Sequence, residues 1–272
     1  MKIRIITVLL ASQMNAHFCD GSVTSYFNNL SDPSLVAQDF DDRSQEASRM
    51  SGYQAGDFLV NNNRLEFTTS SSWLGIKTLK TQADSLSPWS AEVDFHLSQL
   101  NSVLNGHWYD LGISVAIGND FLSAFPNRIS LKAVQSGSGR KIGVSFYANN
   151  IEQRGFENTS ALTASTDGTL KMIFNPNNKS IENLFKISGE STFISLGIID
   201  LDQSPGWAIT PTSVLNISIF AGSEPYQIVP SFPIISSGDM YFNNFIIVPE
   251  PSALSLLAVG LGGLVMMRRR RS

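Results

Sequence analysis

Between Leu65 and Ile219 short runs with an apolar residue at every second position recur, and no other feature limits so sharply what this chain can fold into. Leu65/Phe67, Val93/Phe95/Leu97, Ile113/Val115/Ile117, Ile129/Leu131/Ala133, Ile142/Val144/Phe146, Leu170/Met172/Phe174, Ile194/Leu196/Ile198 and Leu215/Ile217/Ile219 each put one face of a strand on a core. Turn residues separate them: Asn61-Asn62-Asn63, Gly118-Asn119-Asp120, Ser136-Gly137-Ser138-Gly139, Asp167-Gly168, Asn175-Pro176-Asn177-Asn178 and Ser204-Pro205-Gly206. No stretch carries a 3.6-residue stripe of ordinary helix length, and β-branched and aromatic residues fill the apolar positions. The expectation is an all-β domain, an antiparallel two-sheet β-sandwich of ten or more short strands connected as a jelly roll.

Asp20 to Val248 spans 229 of the 272 residues, a length that one sandwich can fill, and shows neither an internal repeat nor a dividing linker. Residues 52–248 are assigned to the sandwich and 17–51 to a leader packed on its edge. Only 15% of the chain is charged, against roughly 25% in an average soluble domain. The polar surface falls instead to 38 Ser and 20 Asn, residues of turns and strands rather than helices. The net charge of −4 hides an asymmetry, because six of the 19 basic residues lie at the ends: Lys2, Arg4 and Arg268 to Arg271. Without these and Glu250, 13 basic and 22 acidic residues remain. Such a body lacks the basic patch that displaces counterions from a phosphate backbone, so nucleic acid is excluded as a partner. The single Cys19 forms no internal disulfide, and one Cys with three His gives no cluster at metal-ligand spacing.

Both ends read as export segments. Met1-Lys2-Ile3-Arg4 and the apolar run Ile5 to Ala11 have the basic and hydrophobic regions of a secretory signal, with cleavage expected near Ala16. That makes residues 1–16 a signal peptide, with the secretion translocon and signal peptidase as partners; a buried first strand is the alternative. His17-Phe18 before Cys19 are not the small residues of a lipoprotein signal. At the other end, Pro249-Glu250-Pro251 precede the 15-residue run Ala253 to Met267, then Arg268, Arg269, Arg270 and Arg271. As a helix 253–267 is about 22 Å long, short of the roughly 30 Å hydrocarbon core, and spans by local thinning and arginine snorkelling. The basic tail 268–272 stays cytoplasmic by the positive-inside rule, which puts the body across the membrane. The two prolines cannot continue the helix and hold an extended segment open to a protease.

Pro249-Glu250-Pro251, a short hydrophobic helix and a terminal arginine cluster, in this order, resemble the PEP-CTERM sorting signal of Gram-negative bacteria that make exopolysaccharide. The resemblance covers Val248 to Ser272, of which 249–272 are assigned to the sorting signal. It implies export, transient anchoring in the inner membrane, processing by an exosortase-type enzyme at or beside Pro249, Glu250 and Pro251, and delivery to the cell surface or extracellular matrix. An ordinary single-pass anchor is the alternative, though a permanent one runs nearer ~20 apolar residues.

The order of features in the body, Asp39-Phe40-Asp41-Asp42, Asn63 to Phe67, Trp89 to Phe95, Asp167 to Met172 and Gly238 to Phe245, resembles the concanavalin A-like lectin/glucanase sandwich. That resemblance implies first and last strands paired near the termini. One branch of the superfamily hydrolyses β-glucans, and Glu92-Val93-Asp94-Phe95-His96-Leu97 resembles the start of its catalytic strand. Alternation places Glu92, Asp94 and His96 on one face. Retaining glycoside hydrolysis needs two carboxyls about 5–5.5 Å apart, and the motif's second glutamate is missing, with His96 and Leu97 in its place. Glu92 and Asp94 remain as the carboxylates of a glycan-active enzyme, the alternative to a non-enzymatic exported protein that binds polysaccharide. For binding, an aromatic platform beside polar groups suffices: Trp89 with Glu92, Asp94 and His96 are the candidates, with Trp73, Trp108, Tyr109 and His107 as further contributors. Asp39, Asp41, Asp42 and Asp239 are candidate Ca²⁺ ligands if the termini meet, although a solvated acidic turn accounts for them equally. No other cofactor or metal is expected.

Overall fold

The computed structural model describes residues 40–42, 57–61, 64–68, 76–99, 107–117, 127–137, 139–149, 151–154, 165–204, 206–225 and 235–249. These form two seven-stranded sheets, antiparallel throughout, and no helix occurs among them. Across the first sheet lie β1 (Phe40–Asp42), β4 (Ile76–Asp84), β13 (Val214–Pro225), β6 (His107–Ile117), β7 (Arg128–Ser136), β8 (Gly139–Ala148) and β9 (Ile151–Arg154). The second runs β12 (Ile194–Asp200), β11 (Ser180–Ile187), β10 (Asp167–Asn175), β5 (Trp89–Leu97), β14 (Met240–Pro249), β3 (Arg64–Thr68) and β2 (Asp57–Asn61).

The period-two pattern is what joins the sheets. Val93, Phe95 and Leu97 of β5 and Leu170, Met172 and Phe174 of β10 face Ile113 and Val115 of β6, Leu131 of β7 and Ile217 of β13 in one continuous core. All are 3% exposed or less, the burial that stabilises a sheet pair at roughly 25 cal/mol per Å². Hairpins close where turn residues cluster, at Ser136–Gly139 between β7 and β8 and at Asn175–Ser180 between β10 and β11.

Three expectations fail in detail. Ile194 and Ile198 are 50% and 62% exposed, because β12 is an edge strand. The register to β11 shifts between Asn183 and Leu184, where Gly197 has φ +110°, and the slip turns Ile199 inward opposite Ile181 in place of Ile198. Asp167-Gly168 opens β10 rather than forming a turn, with Gly168 so close to its neighbours that a Cβ would lie 2.6 Å from the Lys186 carbonyl. The first and last strands do not pair: β1 extends the edge of the first sheet beside β4, whereas β14 inserts between β3 and β5 of the second. The signal segment 1–16, the run 253–267 and Arg268 to Arg271 lie outside the described residues. No helix among the described residues is long and apolar enough to cross a membrane.

Candidate functional site

On β5 the alternation that sends Val93 and Phe95 inward sends Glu92, Asp94 and His96 outward, onto the outer face of the second sheet. The register then assembles cross-strand rows. Asp94 stands opposite Thr169 of β10 on one side and Asn243 of β14 on the other, and Thr169 stands opposite Lys186 of β11. One residue pair along, His96 lies between Asp167 and Tyr241. These rows line a cleft of about 340 Å³ whose wall includes Asp94, Asp167, Thr169, Lys186, Glu190, Tyr241 and Asn243.

Its hydrogen bonds are specific. Asp94 Oδ1 accepts from Thr169 Oγ1 at 2.7 Å and Oδ2 from Asn244 Nδ2 at 2.8 Å, which leaves each oxygen a further lone pair. Asp167 Oδ1 lies 2.7 Å from His96 Nδ1, and Thr166 Oγ1 donates to the other oxygen. Burial works to raise the Asp167 pKa, but the bonds from Thr166 and His96 and the charge of Arg140 outweigh it, so the carboxyl titrates below the usual 3.8. An ionised Asp167 only accepts, so Nδ1 of His96 donates to it, and Nε2 on the other side of the ring lies 3.0 Å from Ser98 Oγ. The order serine, imidazole, carboxylate resembles an acyl-transfer triad, yet the Ser98 N–H, the first donor an oxyanion would need, is bonded to the Asp239 carbonyl.

Tyr241 stacks on His96 with centroids 4.6 Å apart and planes 9° apart, and Arg64 of β3 sits 4.3 Å over its ring. Because β14 lies between β3 and β5, the two partners reach the phenol from the strands on either side. Glu92, one row farther along, pairs with Lys171 Nζ at 3.3 Å.

Trp89 and Tyr109 do not contribute the expected aromatic platform. Trp89 shares the inward parity of Ala91 and Val93, is 3% exposed and stacks on Phe174 at 5.5 Å, on the opposite side of the sheet from Glu92, Asp94 and His96. Tyr109 is likewise buried, and His107 and Trp108 belong to β6 of the other sheet. Trp73 lies outside the described residues. Of the proposed Ca²⁺ ligands, Asp239 accepts from the Ser236 N–H in the turn just before β14 of the second sheet, whereas Asp41 and Asp42 lie in β1 of the first. Asp39 and the side chains of Asp41 and Asp42 are outside the described residues, among which no three His, Cys, Asp or Glu cluster around a metal position. Sequence reasoning missed Asp167, Thr169, Tyr241 and Asn244; polar-out parity signalled the first three, whereas Asn244 shares the parity of the buried Met240 and Phe242 and is turned outward by the bulge.

Comparison with known proteins separates the two parts of the chain. Lectin II from Ulex europaeus superposes with a TM-score of 0.50 at 11% identity, covering 79% of this chain and 94% of that one. The legume lectin-like domain from Entamoeba histolytica gives 0.49 at 12% identity, over 81% and 94%. At such identities the likeness is one of fold. No curated protein matches the sequence. Residues 248–271 match the PEP-CTERM protein-sorting motif. The chain thus joins a legume-lectin-like β-sandwich to a C-terminal PEP-CTERM sorting motif, which implies export, a transient membrane-anchored state, processing by an exosortase-type enzyme and surface localisation.

Proposed function

We propose that the protein is a non-enzymatic component of the cell surface or extracellular matrix that binds polysaccharide through the outer face of its second sheet. The observation that carries this reading is the cleft around Asp94, where acidic, hydroxyl, amide and ammonium groups converge from four strands within about 340 Å³. Sugars are recognised by groups that accept and donate at once to neighbouring hydroxyls, and Asp94 is held by Thr169 and Asn244 with acceptor capacity left over. The lectin-like fold favours the same class of ligand.

The test is a glycan array, followed by calorimetric titration of hits, comparing the wild-type chain in detergent with Asp94→Ala. Loss of one charge-assisted contact is expected to weaken binding by about tenfold or more, since such bonds contribute roughly 1.5–3 kcal/mol. Unchanged affinity in Asp94→Ala would remove the cleft from the argument. Hydrolysis of a β-glucan that disappears in Glu92→Ala would instead establish the carboxylate enzyme.

A further inference from the structure

The sorting motif and the sandwich share residues. The motif begins at Val248, yet Val248 and Pro249 are the last two residues of β14, set opposite Ser90 and Trp89 of β5. No spacer separates the folded sheet from Pro249-Glu250-Pro251. An enzyme that cuts there needs extended chain on both sides of the bond it breaks, and chain locked in a sheet does not enter its groove.

β14 is built in two unequal halves. Met240 to Asn243 pair with β5, and Tyr241 and Phe242 pair with β3 as well; Met240 and Phe242 are fully buried. The ladder then slips between Asn243 and Ile246, where Asn244 takes φ +50°. Past this bulge, among the described residues, only β5 holds the strand. Phe245, 1% exposed, anchors the boundary; beyond it Ile246 and Ile247 are half-buried and Val248 is 37% exposed. Pro249 brings no N–H to the ladder.

We propose that Ile246–Pro249 is a detachable strap, and that it is the segment the exosortase-type enzyme grips upstream of its cut. The strap opens from β5 at the Asn244 bulge, enters the enzyme as extended chain, and closes again once the tail is gone. Four freed residues add roughly 13–14 Å of reach between the sandwich and the motif. Strand ends with one ladder and little burial are where local opening is cheapest, and the two-sided first half keeps the sandwich folded meanwhile. The inference rests on processing of the motif.

Val248 and Ser90 are direct cross-strand partners, so Ser90→Cys with Val248→Cys, in a Cys19→Ser background, fastens the strap with a disulfide. The full chain is incubated with membranes carrying the processing enzyme, with and without reductant, and the products are read by intact mass. The oxidised variant should stay uncut while its reduced form is cut like the wild type. A Gly/Ser spacer of the strap's own length, inserted between Val248 and Pro249, should restore cutting of the oxidised variant. Oxidised protein cut at the wild-type rate overturns the strap, as does cutting that fails in both redox states and is not restored by the spacer. Wild-type chain left uncut by the same membranes would defeat the processing reading itself, and the strap with it.

Discussion

Trp89 offers the sharpest separation of packing from binding, because its indole is buried on the core side while its neighbours on β5 face the cleft. Trp89→Ala removes a ring that is 3% exposed and stacked on Phe174, and large-to-small changes of this kind cost about 3–5 kcal/mol. Trp89→Phe is a different perturbation. It keeps an aromatic ring against Phe174 and gives up the larger part of the indole, which costs roughly 1–2 kcal/mol in lost burial and a small cavity. It also deletes Nε1, a buried donor without a hydrogen-bond partner among the described residues, and so returns about 1–3 kcal/mol of desolvation penalty. The two effects nearly cancel, and the expected stability change is within about 1 kcal/mol of zero. Urea unfolding followed by circular dichroism measures both variants, with the midpoint compared at unchanged slope. Glycan affinity should be unaltered in Trp89→Phe. If that variant lost as much stability as Trp89→Ala, the indole N–H would have a partner and the reasoning would fail; if it lost glycan binding at full stability, Trp89 would belong to the site.

Asp167 gives a pH signature. Its folded pKa is depressed, so its contribution to stability is present above the unfolded value near 3.8 and is lost as the pH falls through the lower folded value. With 44% of the side chain exposed the contribution is screened to below about 1 kcal/mol, and the urea midpoint of Asp167→Asn should fall less than that of the wild type between about pH 5 and pH 2. Equal falls would refute the assignment. Gly206 has φ +82°, and a Cβ there would sit 2.1 Å from Asn149 Oδ1, in a corner where Asn127 bonds both the Gly206 carbonyl and the Asn149 N–H. Gly206→Ala should cost about 2 kcal/mol or more, read as a lowered melting midpoint, and a neutral result would mean the corner relaxes freely.

What could be read from residues alone was whatever a half-buried sheet imposes locally. Alternation marks Val93, Phe95 and Leu97 as core because a strand in a sandwich has one wet face and one dry one. The same rule applied to Trp89 puts it with Ala91 and Val93, away from Asp94, so its burial was legible in its odd-numbered parity and only its aromatic character suggested otherwise. The same rule put Asp94 and His96 together on the wet face, but their cross-strand partners were not legible. Asp94 meets Thr169 across 75 positions of chain and Asn244 across 150, and those meetings depend on which strands are neighbours and in what register. Alternation carries no information about either. Bulges hide in the same way: one extra residue near Gly197 reversed the faces of β12, and nothing in Ile194-Ser195-Leu196-Gly197-Ile198-Ile199 distinguishes the buried isoleucine from its exposed neighbour.

The order of strands gives the C-terminal motif a place in the logic of the fold. β13 lies between β4 and β6 in the first sheet, and β14 lies between β5 and β3 in the second. The last two strands of the sandwich therefore sit inside the sheets, not at their edges, and each joins parts that are otherwise unconnected by hydrogen bonds. Without β14 the hairpin of β2 and β3 has no partner in its sheet, and an isolated two-stranded hairpin is marginal in water. Such closing contacts are long-range, and their loop-closure entropy must be overcome before the core compensates for it. The first sheet thus stays incomplete until residues 214–225 arrive and the second until residues 240–249 do, and the sorting motif begins within that last stretch. A chain whose motif has been presented has already supplied every strand the sandwich needs, which ties completion of the fold to exposure of the signal by nothing more than their overlap at Val248 and Pro249.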